Sequence, residues 1–527
     1  MKHYLVTASE MQKMDKETIK TFGLPGIVLM ENAGRCAVDF FMSQFSDLPD
    51  KRIGIIAGSG NNGGDGFVMA RYFISAGEDV IVFLMTKMEK LSGDARFNYE
   101  RLLLMNARII EIPDEDSINP QYDTLITRNI WIDALLGTGL RSEVQGRYRR
   151  MITFLNISKH PIFAVDIPSG LHSDTGNICG TAIKADATIT FGHQKMGQAM
   201  PTGDQHCGKL AIADIGIPKQ ISESISSKQY LLTSKTINLN LYNRPSSAHK
   251  GTTGHVLVIG GSIGKTGACA LTSHAAMRIG CGLVTLGIAK TLNSVLETQI
   301  MEVMTQPLTE ERPGVLGLNA FDDIMKASQG KKCIAIGPGM GTLFKTQELI
   351  LKLVQEIHIP MVIDADAINA LAGQAECLHN AKTTHILTPH PGEMARLTGL
   401  STQEIQSDRV TFARHFAKSH AVILVLKGEK TVIAHPDGII AVNPTGNSGM
   451  ASGGMGDVLT GMIAGVIAQN IMPGNAVETA VYIHGMASDI LQRNKGRIGF
   501  MASDVIETIP LALRECASSA GTSHARL

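Results

Sequence analysis

The sequence lacks an excess of either charge: 48 Lys and Arg residues stand against 48 Asp and Glu. That balance withholds the broad field a nucleic-acid or anionic-membrane binder uses, so neither partner is expected. It also lacks paired cysteines. Eight lie singly, with no CxxC and no metal-ligand spacing, which excludes a disulfide scaffold and fits a reduced, cytoplasmic protein. No apolar run reaches the length of a spanning helix, and MKHYLVTASEMQKMDKETIK holds no secretory core, so a soluble, unexported chain is expected. Trp131 is the single tryptophan and the 25 Met read as core filler, which says little more.

What the sequence does have is alternation. At 527 residues the chain exceeds one core and predicts two domains. After a leading helix, expected from Ser9 as N-cap to about Phe22, short β-branched runs alternate with helical patterns: RIGIIAG, FVMARYFISAG, DVIVFLM, ARFNYERLLLMNA, RIIEI, NIWIDALLGTG, PIFAVDIPSG, ATITFG and KLAIADIGIP. That is the signature of β-α-β units and a parallel sheet. The pattern stops near Pro218 in polar, serine-rich text and starts afresh at GHVLVIGGS, then CIAIGPGMG, PMVIDADAINAL, HILTPHPGEMARL and AVILVLKGEKTVIAHPDGIIAV. The fold class is therefore α/β in two domains. The expected boundaries are 1–217, a linker 218–234, a second domain 235–515 and a tail 516–527.

Strand after strand ends in a glycine- or acid-bearing loop, where open parallel sheets bind ligands. In the first half, GNNGGDG offers Asn61, Asn62 and Asp65 among glycines that allow close backbone approach. IDALLGTG puts Asp133 at a strand end, and VDIPSG puts Asp166 at another with Ser169 at the turn. Lys195 in FGHQKMG is either a phosphate contact or proton carrier, or a solvated surface lysine.

In the second half, GGSIGKTG imitates a P-loop, but the position needed for its first glycine is Ile259, so Lys265 is not a Walker lysine. The stronger motif is NPTGNSGMASGGMGDVLTG. A glycine-rich anion hole, a helix N-terminus and the carboxylate of Asp457 are the parts that phosphoryl transfer to a hydroxyl requires. The acid is tolerated there because it faces the acceptor hydroxyl. Asp364 and Asp366 in DADAIN read as a helix cap and a buried network member. His390, fixed between Pro389 and Pro391, reads either as site lining or as a turn histidine.

In order, ASEMQKMD, GLPGIVLMENAGR, GNNGGDG, IDALLGTG and VDIPSG resemble the epimerase domain of the bifunctional NAD(P)H-hydrate repair enzymes. GPGMG, DADAIN, TPHPGE, LKGEKT and GGMGDVLTG resemble the dehydratase domain of the same family. The resemblance implies a Rossmann-like three-layer α/β/α domain followed by a ribokinase-like one. It implies that the first interconverts the R and S forms of hydrated NADH or NADPH at C6. The second would then phosphorylate the S hydroxyl from ADP or ATP and eliminate phosphate.

By the same resemblance, Asn61, Asn62, Gly63, Gly64, Asp65, Gly137, Thr138, Gly139, Leu140, Arg141, Ser142, Glu143 and Asp166 would hold the first substrate. Asn62, Asp133 and Ser169 would hold K+. Ala268, Gly341, His390 and Asp457 would contact the hydrate in the second domain. Lys427, Gly428, Glu429, Lys430, Thr431 and Gly456 would contact the nucleotide. Asp166 and Asp457 are the catalytic candidates. Mg2+ is expected with the nucleotide, ADP is favoured over ATP, and a homo-oligomer is expected. Met455 and Ser448 stand where the family has Thr and Pro. Two other readings remain open: a ribokinase-like small-molecule kinase with an N-terminal dinucleotide-binding domain, and a non-enzymatic nucleotide sensor or scaffold.

Overall fold

The computed structural model describes residues 2–225, 227–242 and 244–521. The chain forms two compact units, Tyr4–Gln229 and the chain from Tyr230 onward, which His3 joins.

In the first unit seven parallel strands form one sheet: Arg52–Ala57, Asp79–Leu84, Arg108–Glu111, Ile130–Ala134, Ile162–Val165, Ala187–Phe191 and Lys209–Ala213. Numbered in chain order they lie 3-2-1-4-5-6-7. Successive side chains point to opposite faces, so each strand feeds two cores. Ile53, Ile55, Ile130, Ile132 and Phe163 meet Phe41, Phe67 and Phe73 from the helices Gly26–Gln44 and Asn61–Ser75. Ile56, Ile81, Trp131 and Ala164 meet Met151, Ile152 and Leu155 of the helix Gly146–Ile157 on the other side. This is the expected three-layer arrangement.

The leading helix is Ala8–Glu17, continued by a π turn Thr18–Phe22; its N-cap is Thr7, whose hydroxyl and Glu10 form a reciprocal capping box, not Ser9. The strand His3–Val6, parallel to Gln194–Lys195, precedes it.

The segment 218–234, expected as a linker, holds a helix and a strand among its described residues. Its helix Lys219–Ile225 packs Ile221 and Ile225, one turn apart, against Val6, Met11 and Met14, and the strand Gln229–Leu231 follows. The serine-rich composition hid that two-residue apolar stripe. At the other end, Cys516 is buried in the helix Ala502–Gly521, so the expected tail begins inside a packed helix. Residues 522–527 lie outside the described residues.

The second unit's main sheet repeats the plan with His255–Ile259, Leu283–Ala289, Met304–Leu308, Cys333–Ile336, Met361–Ile363, Ile386–Leu387, Ile423–Leu426, Val432–Ala434 and Ile440–Val442. Their order is 3-2-1-4-5-6-7-8-9, the last two antiparallel. Helices Thr266–Arg278, Met455–Ala468, Pro473–Lys495 and Ala502–Gly521 share the core on one face. Among the described residues no helix is long and apolar enough to cross a membrane.

Candidate functional site

In both sheets the strand order reverses between the first and fourth strands, which leaves a crevice beyond the carboxyl ends. In the first unit Ala57 lies opposite Ala134, so the loops GSGNNGGDG and LLGTG leave side by side. They wall a cavity of about 540 Å³ together with the leading helix. Of the residues expected to hold substrate, Asn61, Asn62, Asp65, Asp166 and all of Gly137 to Ser142 line it. Gly63 and Gly64 do not: a Cβ on Gly63 would stand 2.1 Å from the Gly58 carbonyl oxygen, and one on Gly64 would strike Met30. Those two glycines let the helix seat on its neighbours. Glu143 packs beside Gly180 rather than in the wall.

Asp166 occupies a corner with φ +64, a left-handed conformation costly for a side chain outside Gly, Asn and Asp. The surroundings hold it there. Its backbone N–H bonds Ile189 at 2.7 Å, and the Gln198 side chain donates to its carbonyl at 2.7 Å. Its Oδ1 accepts from Lys195 Nζ at 2.5 Å, from the Thr190 hydroxyl at 3.1 Å and from the Phe191 N–H at 3.2 Å. Lys195 is 1% exposed, so the surface-lysine alternative is wrong. The ammonium is buried because Asp166, Thr190 and the Phe191 carbonyl satisfy its three protons.

Three more carboxylates shape this site. Asp65 is buried, and burial with the charge of Asp166 raises it well above the usual carboxylate range. Asp15, from the leading helix, is pushed up to about 6 by burial, against the pull of Lys195. It was not among the sequence candidates, although the stretch ASEMQKMD that contains it carries part of the family resemblance. Asp133 lies behind the wall, also pushed up to about 6 by burial; the Ser169 N–H and hydroxyl bond it at 2.7 and 2.6 Å. Asn62 donates to the Leu136 carbonyl, to which the Ser169 hydroxyl also points, while Asn62 Oδ1 is buried without a donor among the described residues. Asn62, Asp133 and Ser169 thus meet around one loop.

In the second unit the helix Met455–Ala468 starts from Gly454 at φ +90 with no side-chain cap, which leaves its first N–H groups for a ligand. A Cβ on Gly456 would lie 3.2 Å from Lys427 Nζ, so the helix mouth rests directly on that ammonium. Lys427 bonds Asp364 at 2.9 Å and approaches Glu393 at 3.8 Å. Asp364 also accepts from Thr388 and Thr460, both at 2.8 Å. Burial alone would raise Asp364, but Lys427 and these hydroxyls hold it below the usual carboxylate range.

The result at the mouth is a different acid. Burial, with the negative charge of Asp364, pushes Asp457 up to about 6 against the pull of Lys427. Asp366 and Glu393 add to it. Asp366 accepts from the Gly341 N–H at 2.8 Å and pairs with Lys265 at 3.4 Å, which ties the GPGMG loop to this cluster. Ala268 belongs to the helix Thr266–Arg278, whose next residue, Cys269, feels the Asp457 charge.

Asp364 is thus the buried network member. The N-cap position of the helix Asp366–Ala370 is Ala365, at φ +49, so neither aspartate is the cap. His390 is half exposed and caps the helix Pro391–Thr398: its Nδ1 accepts from the N–H groups of Gly392 and Glu393 at 3.0 and 3.3 Å, and Glu393 returns the bond to its N–H. The capping box therefore aims Glu393 at Lys427. The ring thus holds the turn through neighbouring N–H groups, with Nε2 3.5 Å from Glu393 Oε1.

In the KGEKT turn, Lys427 spends its charge on Asp364. Gly428, Glu429, Lys430 and Thr431 form a tight connection held by Arg409, which donates to the carbonyls of Leu426, Lys427 and Glu429. Sequence reasoning missed Arg409, which lies in no motif. The Met455 side chain is buried in the core, so the replaced threonine alters the interior beside the mouth and leaves the mouth's backbone in place. Ser448 is exposed.

Two family models match the chain. Residues 26–197 match the YjeF-related protein N-terminus, and residues 256–511 match NAD(P)H-hydrate dehydratase. A bifunctional NAD(P)H-hydrate repair enzyme of Moorella thermoacetica is 40% identical over 512 residues, covering 97% of both chains. One of Escherichia coli is 34% identical over 508 residues, covering 96% of this chain and 93% of its own. Among solved structures, an ADP/ATP-dependent NAD(P)H-hydrate dehydratase from Bacillus subtilis, co-crystallised with ATP and Mg2+, is 32% identical. It covers 52% of this chain and 93% of its own, with a TM-score of 0.46.

Proposed function

The chain belongs to the bifunctional NAD(P)H-hydrate repair enzymes, and from that premise we propose how its residues divide the work. The first unit is the epimerase and the second the ADP/ATP-dependent dehydratase. The observation that carries the assignment of residues is that each unit converges its glycine loops on one carboxylate: Asp166 beside Lys195, and Asp457 on the Lys427–Asp364 pair.

At the first site the hydrate's C6 hydroxyl must depart and return on the other face, and Asp166 with Lys195 lies at the reacting end. The residues Asn62, Asp133 and Ser169 suit K+, because the buried Asn62 Oδ1 lacks a donor and the rest of the set is hard oxygen. The ion would supply fixed positive charge for an anionic part of the hydrate.

At the second site Asp457 takes the proton of the C6 hydroxyl while the uncapped N–H groups of the helix mouth steady the transferred phosphate. Gly341 and Ala268 lie on the substrate side. The ring nitrogen then expels phosphate as the double bond re-forms. Among the described residues no group of three or more His, Cys, Asp or Glu is arranged for a metal. Mg2+ would accordingly be carried mostly by nucleotide phosphates, with Asp366 or Glu393 as single carboxylate contacts. ADP as the preferred donor, a cytoplasmic location and a homo-oligomeric assembly complete the proposal.

The test is recovery of NADH absorbance from an R/S hydrate mixture with Mg2+, K+ and either nucleotide. Complete recovery supports both halves, and comparison of ADP with ATP identifies the donor. Recovery that stops at the S fraction removes the epimerase assignment. Accumulation of a stable phosphorylated product replaces dehydration by a kinase reading.

A further inference from the structure

The leading helix is more than a support. Met11, Gln12, Asp15 and Ile19 lie at helical spacing and form one wall of the first unit's cavity. Among them Asp15 is the single ionisable group, and its Oδ1 is buried without a hydrogen-bond partner among the described residues. A carboxyl oxygen kept from both water and donors is costly unless something else completes it. By contrast, Asp166 has its Oδ1 saturated by Lys195, Thr190 and Phe191. The two carboxyls share a cavity but differ in how their Oδ1 atoms are satisfied.

We propose that Asp15 is the general acid of epimerisation, giving its proton to the C6 hydroxyl of the bound hydrate. This rests on the epimerase reading of the cavity around Asp166. The C6–O bond breaks with both electrons going to oxygen, which leaves as water with the proton from Asp15. The ring nitrogen's lone pair closes a C6=N1 iminium. A water then adds to the other face of C6 and returns one proton to the Asp15 carboxylate, while the electrons of the C=N bond go back to nitrogen. One water leaves, one enters, the proton cycles, and nothing is oxidised.

The environment supports this division. Burial pushes the Asp15 carboxyl up to about 6, with Lys195 opposing and Asp166 adding. A carboxyl that its surroundings raise toward neutral pH can serve as a general acid. The charged groups facing the cavity are Asp65, Asp94, Arg141, Asp166 and Lys195. The helix packed on the far side, Lys219–Ile225, turns its Lys219–Glu223 pair to solvent.

The experiment uses the full chain without nucleotide, so that the dehydratase is silent, and follows R-to-S exchange of purified hydrate by chromatography after subtracting the spontaneous rate. Asp15→Asn should lower kcat by about a hundredfold or more with KM little changed. It should also remove the loss of rate as pH rises past about 6, and Asp15→Glu should restore part of the rate. With nucleotide added, Asp15→Asn should dehydrate purified S hydrate at the wild-type rate, which shows that the chain is folded. The proposal is overturned if Asp15→Asn exchanges the epimers within threefold of wild type, or if the pH limb survives in it and vanishes instead in Asp65→Asn. No exchange by the wild type would sink the epimerase reading itself.

Discussion

Asp166 and Asp457 are both strand-end or helix-mouth aspartates, yet their neighbours give them different characters. Asp166 is neutralised at 2.5 Å by a buried lysine. Asp457 stands one step further from Lys427, whose charge is already spent on Asp364, and so holds its proton up to about pH 6. A base works only when deprotonated. Dehydration of S hydrate should therefore rise with pH through about 6 and level off above it, and Asp457→Asn should abolish turnover while R-to-S exchange continues. A flat profile between pH 5 and 8, as about the range where such an acid titrates, would remove the base assignment. The identities of both aspartates were legible in the sequence because glycine and proline flank them. Their charge states were not, since Lys195 is separated from Asp166 by 29 positions and Lys427 from Asp364 by 63. Asp15 was hidden for a similar reason: within MQKMDKE it looks like one more polar residue on an amphipathic helix.

At the scale of elements, β-branched runs ending in glycine marked the strands well, because strands buried on both faces read as continuous apolar text. Met304–Leu308 escaped that reading. Its MTQPL is polar at Thr305 and Gln306 and carries Pro307, which an edge strand tolerates since one of its sides has no ladder partner. Helix contacts were less legible still. A Cβ on Gly461, midway along Met455–Ala468, would stand 2.0 Å from the Thr272 carbonyl oxygen of the helix Thr266–Arg278. These two helices carry Asp457 and Ala268 at their starts. Gly461→Ala must push them apart, and the strain should exceed the propensity gained, for a net loss of about 1–2 kcal/mol in the second unit's stability. Thermal unfolding checks the sign. Dehydration should fall with it, and epimerisation should not.

At the scale of the whole molecule, Tyr4–Gln229 and the chain from Tyr230 onward are units with their own cores. Each has its own candidate machinery. An Asp166→Asn chain mixed with an Asp457→Asn chain should therefore convert an R/S hydrate mixture completely, because the S hydrate made by one molecule can diffuse to the other. Recovery slowed to the spontaneous rate of epimerisation would instead mean that both sites must reside on one chain. The two-unit plan was readable from the pause near Pro218. Its boundary was not, because two isoleucines one turn apart suffice to fold Lys219–Ile225 onto the leading helix.

The left-handed corner at Asp166 also limits how this protein can change over generations. At φ +64 the backbone accepts aspartate, asparagine or glycine with little strain and penalises nearly every other residue. Two of those three keep the fold and discard the carboxylate. Glutamate would keep the acid but bend the corner. Mutational drift at this position therefore has no graded path: a lineage keeps aspartate, or it keeps the fold and loses the carboxylate.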